Sequence, residues 1–256
     1  MKIAVVGYGL MRSLAMLNLT LQSFKNNLRH ADFVVAADCR ENCSAATIMF
    51  RAVGARHVWL RHRTPASPTL AHFKHSCKNR LHQTNALHYL YAMQLLSNGI
   101  EHAARARADA IVAWRVDTRL VTPIDAEQLG PWAHGRIFTS PEQGGAGLFD
   151  RFLMADAETL RDVTRYRLNR LKNLTMHEGW NMTCLYGEPL LLNAVLALNM
   201  TVGFTRTRVV RVRADLTVPD VDRALVLREI PPRGWMKGMN RLPAGFNCTK
   251  TTCVGA

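Results

Sequence analysis

The chain has 256 residues, 48% of them hydrophobic and 20% charged, enough for one sizeable domain and too apolar for a disordered one. No stretch reaches the ~18–20 uncharged apolar residues of a membrane-spanning helix, and the opening apolar run is too short for a secretory leader before Arg12 interrupts it. Thirty-three Lys and Arg against nineteen Asp and Glu give a net charge of +14. That excess favours polyanions such as phosphates, nucleotides, nucleic acid or acidic glycans without choosing among them.

In chain order, the apolar run at 3–6 predicts a buried parallel strand ending in a Gly7-Tyr8-Gly9 turn. Ser13 is a suitable cap for a helix whose stripe is Leu14, Leu17, Leu21, Phe24 and Leu28. Residues 33–37 read as a second strand ending at Asp38, 44–53 as a helix and 57–60 as a third strand. After a basic, proline-containing loop, 69–98 predict a helix burying Leu81, Leu87, Leu90, Tyr91 and Leu95, with Gly99 as its stop. A further helix at 101–108 leads to a fourth strand at 110–114. This βαβαβ rhythm predicts an α/β domain with a mainly parallel sheet and right-handed crossovers.

The second half is more mixed. Strands are expected at 136–139, 148–149, 152–154, 201–204 and 209–212, the first three around a Gly144-Gly145-Ala146-Gly147 loop. Asp156 can cap a basic helix reaching about Lys172, and Glu188-Pro189 opens a strongly apolar helix through Leu198. Beyond Ala214 the chain is punctuated by Pro and Gly with little periodicity.

The six cysteines form no C-x-x-C pair, which argues against a zinc knuckle or a thioredoxin-type site; Cys248 and Cys253 can close a small loop. Six glycosylation sequons, at Asn18, Asn42, Asn173, Asn181, Asn199 and Asn247, hint at a secretory lumen. A cytoplasmic location is expected if the chain is complete and a Golgi or secretory lumen if it is an excised domain. Asn18 falls in a predicted core helix, where a glycan would not fit.

In a parallel α/β sheet, ligands sit beyond the carboxyl ends of the strands. Gly7 and Gly9 there would let backbone amides approach a phosphate or base, Arg12 adds charge, and Asp38 can accept from a ribose or base. Arg12 occupies the place of the third glycine of a dinucleotide fingerprint, which weakens a nicotinamide reading. Lys78, with Lys74 and Arg80, can reach a diphosphate from the long helix. Arg115-Val116-Asp117 is more telling, because a carboxylate directly after a central buried strand is costly unless it binds something. The bland alternative is an Arg–Asp ion pair with no metal.

The series "GYGLMRS…LTLQSF", "FVVAAD", "IVAWRVDTRLVTPID", "GLFDRFLMAD" and "YGEPLLLNAVL…VVRVR" resembles a group of GT-A glycosyltransferases of algae and of large DNA viruses of algae. The resemblance spans about residues 2–213. It implies a single GT-A-like, Rossmann-related domain over 1–213, with a nucleotide-binding half to about 120, an acceptor half from about 121, and a C-terminal extension at 214–256 packed on the domain. By the same resemblance, Gly7, Tyr8, Arg12 and Asp38 surround the donor nucleoside. Asp117 would hold Mn²⁺ or Mg²⁺, and Arg115, which replaces the commoner first aspartate, would stand near the diphosphate. Asp150 and Arg151 would line the acceptor side, and Glu188 would be the general base, with Asp150 competing for that role.

The expected activity is therefore metal-assisted transfer of a sugar from a nucleoside-diphosphate donor, with UDP the preferred nucleotide, to a glycan or glycoconjugate hydroxyl. Inversion is slightly preferred, and no nucleic acid partner is expected. The rival readings are a Rossmann-type enzyme using NAD or S-adenosylmethionine, and a non-catalytic basic module for nucleic acid or glycan.

Overall fold

The computed structural model describes residues 2–11, 13–27, 32–39, 42–62, 80–124, 133–140, 148, 150–173, 187–205, 207–213, 215–217, 246–248 and 252–255. The first half alternates strand and helix: β1 (Ile3–Met11), α1 (Leu14–Asn27), β2 (Asp32–Cys39), α2 (Cys43–Ala52), β3 (Ala55–His62), α3 (Arg80–Arg105) and β4 (Ala110–Arg115). There follow β5 (Thr118–Leu120), β6 (Arg136–Thr139), β7 (Phe152–Ala155), α4 (Ala157–Asn173), α5 (Gly187–Ala197), β8 (Thr201–Phe204), β9 (Val209–Arg211), β10 (Phe246–Cys248) and β11 (Thr252–Gly255).

These strands build an α/β fold with helices on both faces of a mainly parallel central sheet, in the Rossmann-related manner. The main sheet has the order β10-β11-β8-β6-β7-β4-β1-β2-β3, and β5 pairs with β9 in a separate ribbon. β3, β2, β1 and β4 are mutually parallel, as are β6 and β8. β7 runs antiparallel to both β4 and β6. β11 adds to β8 antiparallel, and β10 to β11. These last two strands give the Pro- and Gly-punctuated tail an order that its weak periodicity did not announce.

Alternation along β1 sorts the core into two layers. Val6 and Tyr8 face one layer with Leu90, Met93 and Leu96 of α3 and the apolar residues of α4 and α5. Val5 and Met11 face the other, with Leu17, Leu21 and Phe24 of α1 and Phe50 of α2. Trp114 is its centre: Phe24 lies 4.1 Å and Phe33 6.1 Å from it, centroid to centroid, in tilted rather than face-to-face packing.

Several local expectations hold. Ser13 Oγ accepts from the Met16 amide at 3.2 Å, and Asp156 Oδ1 accepts from the Glu158 and Thr159 amides at 2.9 Å, so both helices are capped as the sequence predicts. β6 and β8 fall on their predicted residues.

Other expectations need correction. The first strand does not stop at Gly7 but runs through Met11, because the flanking β2 and β4 supply backbone partners as far as Met11 and Tyr8 respectively. Gly99 is no stop: α3 continues through it to Arg105 and absorbs the separate helix expected at 101–108. A Cβ at Gly99 would strike Val6 Cγ1, so this glycine exists to let the helix lie close on β1. Residues 148–149 were expected as strand; Leu148 lies outside β7. Asn18 is in a helix, but on its solvent face, where its side chain accepts from Gln22. A disulfide joins Cys39 at the end of β2 to Cys43 at the start of α2. Cys248 and Cys253 stand opposite each other in the β10–β11 register.

Candidate functional site

β1, β2 and β4 are parallel, so their carboxyl ends reach the same edge of the sheet, the usual ligand edge of such folds. The chain leaves β4 through a tight, fully bonded turn. The Val116 amide donates to the Tyr8 carbonyl at 2.9 Å and the Arg115 amide to the Arg151 carbonyl at 3.0 Å. The Thr118 hydroxyl donates to the Arg115 carbonyl at 2.7 Å, and the Trp114 indole to the Thr118 carbonyl at 2.9 Å. With the backbone so held, Arg115 Nε and Nη2 donate to Asp117 Oδ1 and Oδ2 at 2.9 and 2.6 Å. This is a bidentate pair with Asp117 almost buried and Arg115 24% exposed.

Because β7 runs the opposite way, its beginning arrives where β4 ends, and it delivers Asp150 and Arg151 to the same place. Asp150 is 2% exposed. Its backbone carbonyl accepts from the Tyr8 hydroxyl at 2.8 Å, and its Oδ2 accepts from Arg167 Nη2 at 3.3 Å. Arg167 of α4 is fully buried, also donates to the Tyr89 hydroxyl of α3, and has no hydrogen-bond partner on Nε or Nη1 among the described residues. Glu188, in the first turn of α5, pairs with Arg151 at 3.8 Å and keeps 20% of its side chain exposed. Gly187 lets these groups converge: a Cβ there would strike Asp150 Oδ2 and the Tyr89 ring.

Burial dominates the electrostatics. It pushes the Asp150 carboxyl up to about 7, helped by the charge of Glu188 and opposed by Arg115 and Arg151. Burial also lowers the Arg167 guanidinium to about 10, against the pull of Tyr8 and Glu188, which leaves it charged at neutral pH. The Tyr8 hydroxyl is raised by burial and by Asp150, so it remains a neutral donor.

Of the residues singled out from the sequence, Tyr8, Arg115, Asp117, Asp150, Arg151 and Glu188 come together. Tyr8 does so as a fully buried core residue whose hydroxyl is taken by Asp150. Gly7 lies under the aromatic cluster: its Cβ would sit 3.3 Å from Phe33 and 3.4 Å from Trp114, a packing reason for a small residue. Gly9 has φ +105° beside Arg115, a backbone that favours glycine. Asp38 is buried at the end of β2, in register with Leu10 of β1. Arg12 and Lys78 lie outside the described residues.

Arg167 and Tyr89 were not anticipated. A signal for Arg167 was present: with Leu160 and Val163 it repeats at helical spacing, so a basic residue occupies the buried stripe of α4.

The expected divalent ion finds no fitting donor set here. Both oxygens of Asp117 are gripped by Arg115, Asp150 is engaged by Arg167 and Glu188 by Arg151. Among the described residues no three His, Cys, Asp or Glu side chains gather as metal ligands. No helix among the described residues is long and apolar enough to cross a membrane.

Compared with known proteins, the chain matches no family model and no curated protein.

Proposed function

We propose that the chain is a glycosyltransferase of the GT-A type that moves a sugar from a nucleoside-diphosphate donor, UDP being the first choice, to a hydroxyl of a glycan or glycoconjugate. One observation carries the reading. A guanidinium fixed at the end of the central strand β4 lies beside a carboxylate group, Asp150 and Glu188, brought in by a reversed strand and a helix start. Leaving-group stabilisation and proton removal, the two needs of sugar transfer, would thus be met by one cluster of side chains. The sheet order, with a single reversed strand next to β4 and a short ribbon following the Arg-x-Asp turn, also suits a GT-A domain.

In this reading the acceptor oxygen attacks the anomeric carbon, forming the new glycosidic bond. The bond to the diphosphate oxygen breaks and its electron pair leaves with the nucleoside diphosphate. Arg115 stabilises the charge that develops there. Glu188 takes the acceptor proton, since it is the more exposed of the two carboxylates; Asp150 behind it sets the local field and holds Arg167. Attack from the face opposite the leaving group inverts the anomeric carbon.

The nicotinamide and S-adenosylmethionine readings lose their main support, because β1 continues through Gly7-Tyr8-Gly9 and Gly7 packs on aromatic rings. The test is thermal stabilisation with UDP, GDP, NAD, S-adenosylmethionine and a short RNA, followed by turnover on sugars of whichever nucleotide binds. A ligand at 100-fold over its Kd adds about 2.7 kcal/mol. Stabilisation by UDP or GDP supports transfer; a response to NAD, S-adenosylmethionine or RNA alone overturns it.

A further inference from the structure

We propose that this site neutralises the donor diphosphate with Arg115 in place of a divalent cation, so that donor binding and transfer proceed without metal. The inference rests on the sugar-transfer reading and deepens it. Its ground is the pairing of charges in the cluster at the end of β4. Among the described residues, three carboxylates of this group each already face a guanidinium: Asp117 with Arg115, Glu188 with Arg151, Asp150 with Arg167.

A doubly charged hard cation is normally wrapped by several oxygen donors. Entering here, it would have to break the Arg115–Asp117 pair, whose two hydrogen bonds measure 2.9 and 2.6 Å, and then sit beside the displaced guanidinium. An anion meets no such obstacle. Asp117 occupies Nε and Nη2 of Arg115, while Nη1 makes no hydrogen bond among the described residues and the side chain is the most exposed of the three arginines, at 24% against 15% and 0%. Asp117 is then a positioning residue. It holds the planar fork by one edge and leaves Nη1 uncommitted among the described residues, a donor of the kind that suits a phosphate oxygen. The net charge of +14 adds a long-range attraction for the polyanionic donor.

The experiment measures UDP and GDP binding by calorimetry, and transfer from the corresponding sugars, in EDTA and in Mn²⁺, on wild type, Arg115→Ala and Arg115→Asp. Each variant's unliganded melting temperature serves as the folding control. Wild type should bind and turn over within twofold in the two buffers. Arg115→Ala should lose binding at least tenfold in both. Arg115→Asp places two carboxylates at the end of β4, and should recover binding only when Mn²⁺ is present. If wild type needs Mn²⁺, the inference fails while sugar transfer stands; because that arm uses no variant, misfolding cannot obscure it. If neither nucleotide binds in either buffer, the transfer reading falls and this inference with it.

Discussion

At the scale of single residues, the proposed transfer gives Asp150 and Glu188 separable roles. Replacing a general base that contacts the reacting hydroxyl costs about 10²-fold or more, so Glu188→Gln should lower kcat by about 10² with little change in melting temperature. Asp150→Asn should cost less than tenfold, because Asp150 is only 2% exposed while the Glu188 side chain is 20% exposed. A larger loss for Asp150→Asn would exchange the two roles. Asp150 should instead be visible in stability. Its folded-state value of about 7 lies above the ordinary 3.8, so between about pH 4 and pH 7 the folded state keeps a proton that the unfolded state releases. Stability contributed by this group is therefore present at low pH and lost as pH rises through 7. Melting temperatures from pH 4.5 to 8 should fall more steeply in wild type than in Asp150→Asn; parallel curves would show the carboxyl to be unshifted. The two carboxylates were legible only through the family resemblance carried by "GLFDRFLMAD" and "YGEPLLLNAVL". Sequence reasoning missed Arg167, reading α4 as a basic helix without asking which arginine shares the stripe of Leu160 and Val163.

At the scale of elements, periodicity named the type of each long described segment correctly, with 69–79 of the expected long helix lying outside the described residues, and stumbled where tertiary contact overrides local rules. Gly99 is the clearest instance. A glycine after Asn98 reads as a helix stop, yet α3 passes through it because Val6 of β1 lies where a side chain would go. Nothing in a 3.6-residue pattern announces a close approach from a strand more than ninety residues earlier. The physical consequence is measurable. Gly99→Ala gains up to about 1 kcal/mol of helix propensity, but overpacking typically costs about 1–3 kcal/mol. The net change should be destabilising and lower the melting temperature by a few degrees; a stabilised variant would mean that α3 can shift away from β1. Gly7 shows a related ambiguity, since a glycine that packs under Phe33 and Trp114 looks in sequence the same as one required by a phosphate. β5, β10 and β11 escaped notice because pairing decides them: β5 with β9, β11 with β8 and β10 with β11.

At the scale of the whole molecule, β7 holds an unusual place. It spans only Phe152–Ala155, all four residues buried, and it separates two sets of strands that otherwise share no ladder in the sheet: β3, β2, β1 and β4 on one side, β6, β8, β11 and β10 on the other. Met154→Pro would remove an N–H from its centre and should abolish cooperative unfolding of the native sheet, read as loss of the near-ultraviolet circular dichroism of the buried Trp114. Two separate, still cooperative transitions would instead show that the flanking sets fold alone. Asp150 and Arg151 also reach the end of β4 only because β7 has taken its place beside it, through pairs such as Trp114 with Phe152. The charge cluster therefore has no existence in a half-assembled chain. On the proposed transfer reading, turnover should vanish during denaturation at the same midpoint as the sheet itself, so that an assay of it doubles as a count of fully folded molecules.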